Sequence, residues 1–126
     1  MNKIDKITQK VKGKLRENVS LKDYNTWKVG GKAEYFFEPH DLEDLKIFLN
    51  LTSDEKVTFL GNGSNVLIRD NGIKGYVICL KKSLNNFQIH GKNKFIFEAG
   101  LSCMKIAQIS ANHNLTGLEF LCGVPG

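Results

Sequence analysis

The chain has 126 residues, 41% hydrophobic and 25% charged, with 12 Gly and 2 Pro, which is the make-up of an ordinary globular domain rather than a linker, a collagen or a disulfide scaffold. Its net charge of +5 sits in residues 1–16, where Lys3, Lys6, Lys10, Lys12, Lys14 and Arg16 face Asp5 alone; the remainder is neutral, which argues against a nucleic-acid-binding face. No apolar run approaches the ~18 residues of a membrane span and the first residues are polar, so neither membrane insertion nor a secretory signal is expected.

In chain order, Ile4, Ile7, Val11 and Leu15 recur at helical spacing, and residues 2–16 read as a basic amphipathic helix. Residues 17–32 show no clear period and end in Gly30-Gly31. Ala33–Glu38 is short and aromatic, stopped by Pro39, and reads as a strand. Asp41–Leu51 reads as a helix, with Leu42, Leu45, Phe48 and Leu49 on one face and acids in its first turn. Val57–Leu60 and Gly75–Leu80 are further strands, the second apolar almost throughout, as in a strand covered on both faces. Phe87–His90 and Phe95–Glu98 flank Gly91–Lys94 as an antiparallel hairpin. Ser102 then caps a helix running to about His113, and residues 116–126 form a loop. The fold class is α+β: the helix of residues 1–16, a β-α-β-β unit over 17–82, and an antiparallel unit beginning at 83 and running to 126.

Cys79, Cys103 and Cys122 are odd in number, widely spaced and without a Cys-x-x-Cys pair. They read as reduced structural thiols in a cytoplasmic protein. His40, His90 and His113 are too scattered to form a metal cluster, and no metal site is expected.

Leu60-Gly61-Asn62-Gly63-Ser64-Asn65-Val66 directly follows a strand. Its glycines permit positive φ and close approach of a ligand to the main chain, Ser64 and Asn65 offer hydrogen bonds, and successive N–H groups suit an anion. A diphosphate is the natural guest, with a side chain at position 63 expected to meet it. Neither the dinucleotide fingerprint nor the Walker loop fits, since Val66 takes the place of the third glycine and no Gly-Lys-Ser/Thr occurs. Two further glycine sites, Thr26–Gly31 and Gly123-Val124-Pro125-Gly126, read singly as turns.

Taken together with Asp70-x-Gly72-x-x-Gly75 and Gly117-Leu118-Glu119-Phe120, these segments resemble the UDP-N-acetylenolpyruvoylglucosamine reductase family, among the flavoproteins with a vanillyl-alcohol-oxidase (PCMH) type of FAD-binding domain. The resemblance runs from about Leu21 to Gly126. It implies that Leu60–Val66 and Gly123–Gly126 embrace non-covalently held FAD. It also implies that NADPH reduces the flavin, which passes hydride to UDP-N-acetylglucosamine enolpyruvate to make UDP-N-acetylmuramate for the peptidoglycan cell wall. The family's proton-donating Ser, its substrate-binding Arg and its late Glu have no counterpart here, so no catalytic residue is assigned. The chain is expected to be the N-terminal, cofactor-binding part, truncated in its second subdomain and inactive alone. Two other readings remain open. Another FAD-dependent oxidoreductase of the same superfamily would give flavin but no turnover of the UDP-sugar, and a non-catalytic binding module using the basic helix would give no flavin at all.

Overall fold

The computed structural model describes residues 1–126. Helix α1 spans Lys3–Lys10, and Asn2 and Asp5 close its start reciprocally, each side chain accepting the other's main-chain N–H. The helix expected to reach residue 16 stops there. Val11 is already extended, the Asp44 carboxylate takes the N–H groups of Lys12 and Gly13 at 2.7 and 2.8 Å, and residues Lys14–Ser20 form strand β1. The apolar spacing was nonetheless correct about burial. Ile7 is buried, and Ile4, Val11 and Leu15 pack on the same cluster, the last two from outside the helix.

The other elements follow the expected order: β2 (Lys32–Glu38), α2 (Leu42–Leu51), β3 (Val57–Leu60), β4 (Ile73–Cys79), β5 (Phe87–His90), β6 (Lys94–Phe97) and α3 (Cys103–Asn112). Short 3₁₀ turns lie at Lys22–Tyr24 and at Glu119–Gly123, the latter inside the stretch read as loop. Asp41 and Ser102 cap α2 and α3, accepting from Asp44 N and Lys105 N.

Four strands form one sheet in the order β1-β2-β4-β3. β1 pairs antiparallel to β2, while β2 and β3 each pair parallel to β4. The parallel pairs explain why β4 is apolar on both faces. Tyr76 and Ile78 join Ile7, Phe37, Leu45, Phe48 and Leu84 beneath the helices, and Phe37 stacks on Phe48 with ring centroids 3.9 Å apart. Val77 and Cys79 enter the opposite cluster with Leu21, Ala33, Phe36, Leu60 and Ile68, where loops rather than helices supply the cover. β5 and β6 form a separate two-stranded sheet, held to α3 through the edge of His113 against Phe87 and Phe95.

Candidate anion-binding loop

Strands β3 and β4 run parallel, so the segment leaving β3 emerges at the carboxyl ends of both, where ligand crevices form in parallel sheets. That segment is Gly61–Val66. None of the five consecutive main-chain amides from Gly61 to Asn65 donates a hydrogen bond within the protein, nor do the side chains of Asn62, Ser64 and Asn65 form one. Consecutive free N–H groups in a turn make an anion-receptive concavity. The loop lines a groove of about 270 Å³ together with Phe59, Leu60 and Gly126. A smaller groove of about 110 Å³ shares Gly61, Asn62 and Gly126 with it and is otherwise bounded by Lys81, Ala99, Gly100 and Leu101. Lys81 carries the only charged side chain lining either groove.

The two loop glycines divide the work differently from what their spacing suggests. Gly63 is left-handed, at φ +69°, and a Cβ there would lie 1.9 Å from the main-chain oxygen of Tyr24. Its carbonyl accepts from Thr26 N at 3.0 Å. Gly63 is therefore needed for packing against residues 24–26, not for space toward a phosphate. Gly61 has no positive φ, and a Cβ there would meet nothing within 4 Å. Gly61, not Gly63, presents bare backbone to the open space.

The segment that Gly63 packs on is itself firmly built. The buried Asn25 amide donates to Leu21 O at 2.7 Å and to Val29 O at 2.9 Å, and its oxygen accepts from Val29 N. Trp27, at the tip of this knot, is 69% exposed. Gly31 is pressed so closely on the Ile68–Gly72 turn that a Cβ would lie 2.1 Å from Asp70 O, and its N–H donates to Arg69 O. The Thr26–Gly31 and Asp70–Gly75 motifs thus lock the loops covering one face of the sheet.

Leu60 is buried at the end of β3, and Gly61 to Val66 and Gly126 line the main groove. Gly126 is brought to the first loop, its added Cβ lying 3.8 Å from Ser64 Oγ, and its carbonyl accepts from Cys103 N at 2.7 Å. Gly123, Val124 and Pro125 are not gathered there; they lie on an exposed turn and line neither groove. Lys81 was missed. In the sequence it is one of two lysines beside a subdomain boundary, and only the turn after β4 brings it to the loop. A larger groove, about 520 Å³, lies at the other end of the sheet among Lys22, Lys32, Lys74, Glu34 and Asp70. It is open and polar, and Glu34 there already accepts from Gly75 N.

The cysteines are separate and free: Cys79 buried, Cys103 half-buried and Cys122 exposed. Burial pushes the Cys79 thiol above its ordinary range, offset in part by the nearby Lys81 main-chain amide, which leaves it a poor nucleophile. No helix is long and apolar enough to cross a membrane.

The residues fit a diphosphate. The loop offers a row of unpartnered donors, no Asp or Glu side chain lines either groove, and one cation stands beside them. Fold and site together define an α+β protein with an anion-receptive glycine loop at the carboxyl ends of parallel strands. Comparison with known proteins narrows this. No family model matches the chain. It is 41% identical to the UDP-N-acetylenolpyruvoylglucosamine reductase of Nitrosomonas eutropha, over 94% of this chain and 37% of that protein. It is 44% identical to the enzyme of the same name from Orientia tsutsugamushi, over 93% of this chain and 40% of that protein. The crystal structure of UDP-N-acetylenolpyruvylglucosamine reductase from Thermus caldophilus superposes with a TM-score of 0.65 at 31% identity, over 90% of this chain and 39% of that one. The resemblance carried by these glycine-containing motifs is therefore real, and the chain is related to the UDP-N-acetylenolpyruvoylglucosamine reductases. It spans 37% to 40% of the length of these two relatives.

Proposed function

We propose that these residues are the FAD-binding part, of the vanillyl-alcohol-oxidase type, of a cytoplasmic reductase that converts UDP-N-acetylglucosamine enolpyruvate to UDP-N-acetylmuramate with NADPH, in peptidoglycan synthesis. The observation that carries this reading is the run of unpartnered amides from Gly61 to Asn65, in a glycine loop whose motif resembles that of the reductase family. Bound FAD would supply the hydride chemistry between NADPH and the enolpyruvyl double bond. The chain's own residues do the holding. The Gly61–Asn65 amides meet diphosphate oxygens, and Ser64 and Asn65 add side-chain donors. Gly126, anchored on the first turn of α3, sets the width of the groove, and Gly61 lets the phosphates touch the main chain. Gly123, Val124 and Pro125 belong to the same cofactor-binding segment on this reading, reaching the cofactor from the exposed turn.

The test is equilibrium dialysis of the chain against FAD, compared with Gly61→Val. Because a Cβ at Gly61 meets nothing in the protein, the variant keeps the wild-type circular-dichroism spectrum and melting curve. A branched side chain on the phosphate-facing backbone lowers FAD affinity about tenfold or more, the loss of one or two charge-assisted hydrogen bonds. Equal affinity in a folded Gly61→Val chain overturns the site assignment, and no flavin retention by the unaltered chain overturns the reading as a whole.

A further inference from the structure

The only charged side chain on the grooves flanking the glycine loop is Lys81, in the turn that follows β4. It forms no ion pair; the salt bridges of the molecule are Lys3–Glu55, Arg16–Glu38, Lys46–Glu43 and the His40–Asp41 contact. Cys79 ends β4 two residues earlier, pairing with Leu60 of β3, and Leu80 N donates to Leu60 O, so the turn carrying Lys81 is fastened to the start of the glycine loop. On the other side, the groove is bounded by Ala99, Gly100 and Leu101 of the second unit. Gly100 N donates to Leu84 O at 2.7 Å, and a Cβ on Gly100 would lie 1.9 Å from Ser83 O, so these residues close tightly on the stretch just beyond Lys81. Lys81 therefore stands on a short, tethered turn beside Gly61 and Asn62, whose amides have no partner. An unpaired ammonium next to a row of free N–H donors, with no Asp or Glu side chain on the walls, is an arrangement suited to a polyanion.

Resting on the cofactor reading above, we propose that Lys81 is a binding residue for the diphosphate of the dinucleotide, supplying the charge that the uncharged glycine loop lacks. The loop alone would recognise shape and hydrogen-bond acceptors. Lys81 makes recognition depend on charge, favouring a diphosphate-bearing ligand over an uncharged nucleoside with the same ring.

The experiment compares the unaltered chain, Lys81→Gln and Lys81→Arg by equilibrium dialysis against FAD, ADP, adenosine and riboflavin at two ionic strengths. Lys81 is exposed, so both variants keep the fold, checked by circular dichroism. The expected result is that Lys81→Gln weakens FAD and ADP about 5- to 20-fold, the loss of one partly screened charge-assisted contact. Adenosine and riboflavin are unaffected, salt weakens ADP binding less in Lys81→Gln than in the unaltered chain, and Lys81→Arg stays close to the unaltered chain. Unchanged ADP affinity and salt dependence in Lys81→Gln overturns the assignment while leaving the cofactor reading standing. Failure of the unaltered chain to retain either FAD or ADP overturns both.

Discussion

At the scale of single residues, two glycines two positions apart in the same motif answer to different constraints. Gly63 sits at φ +69° against the Tyr24 carbonyl, so any Cβ strains the backbone and collides. Gly63→Ala is expected to cost at least about 1–3 kcal/mol in urea unfolding, whereas Gly61→Val stays within about 0.5 kcal/mol, as a surface substitution does. Asp44 is the second residue-scale case. It is 2% exposed, and its carboxylate accepts from Lys12 N, Gly13 N and His40 N, joining α2 to the chain reversal between α1 and β1. Asp44→Ala leaves three amides without an acceptor and is expected to lower stability by about 2–4 kcal/mol, with Asp44→Asn intermediate. The thiols give a third expectation. Since burial raises the Cys79 pKa, the folded state holds that proton more tightly than the unfolded chain. Its contribution is therefore fully present at neutral pH and is lost as pH rises through and above the ordinary thiol range. At pH 8 a thiol reagent is expected to modify exposed Cys122 quickly and Cys79 only on unfolding, read by mass spectrometry with and without urea.

At the scale of elements, the two sheets differ in how they are held. β4 runs between two parallel neighbours and has Tyr76 to Cys79 buried on both faces. β5 has no buried residue, and its antiparallel partner β6 is half-exposed. Local opening is cheapest where apolar burial is least. Hydrogen exchange is therefore expected to reach the β5–β6 amides well before those of β2 and β4, and equal protection in the two sheets would contradict this account. The same contrast accounts for the misread beginning of the chain. Helical spacing in Ile4, Ile7, Val11 and Leu15 marks a common buried side, but a chain that leaves a helix and turns back as an edge strand meets the same core.

At the scale of the molecule, the excess positive charge is concentrated in the first sixteen residues, while the run of unpartnered amides lies in the glycine loop. On the proposed reading these residues hold a diphosphate, and none of them is assigned the role of proton donor to the enolpyruvyl carbon. These 126 residues purified alone are therefore expected to show no NADPH oxidation dependent on the UDP-enolpyruvyl sugar, because a missing general acid by itself typically costs ~10²–10⁴-fold. Substrate-dependent turnover by this polypeptide would show that the residues present suffice.

Much of this was legible from the sequence alone. Strand and helix order from residue 33 onward followed from apolar spacing, from Asp41 and Ser102 as caps, and from the turn at Gly91–Lys94, because these signals act over a few residues. The glycine loop was legible for the same reason, as a motif directly after a strand. The resemblance to the reductases was legible too, because several spaced motifs occur in order. What lay beyond the sequence depended on long-range contacts. Strand β1 exists because β2 offers it an edge, and α1 ends where a carboxylate some thirty residues away takes its next amides. Gly63 is required by Tyr24, and Lys81 joins the loop only because β4 pairs with β3. Such pairings are decided by which surfaces meet once the sheet is assembled, and a local pattern carries no record of its distant partner.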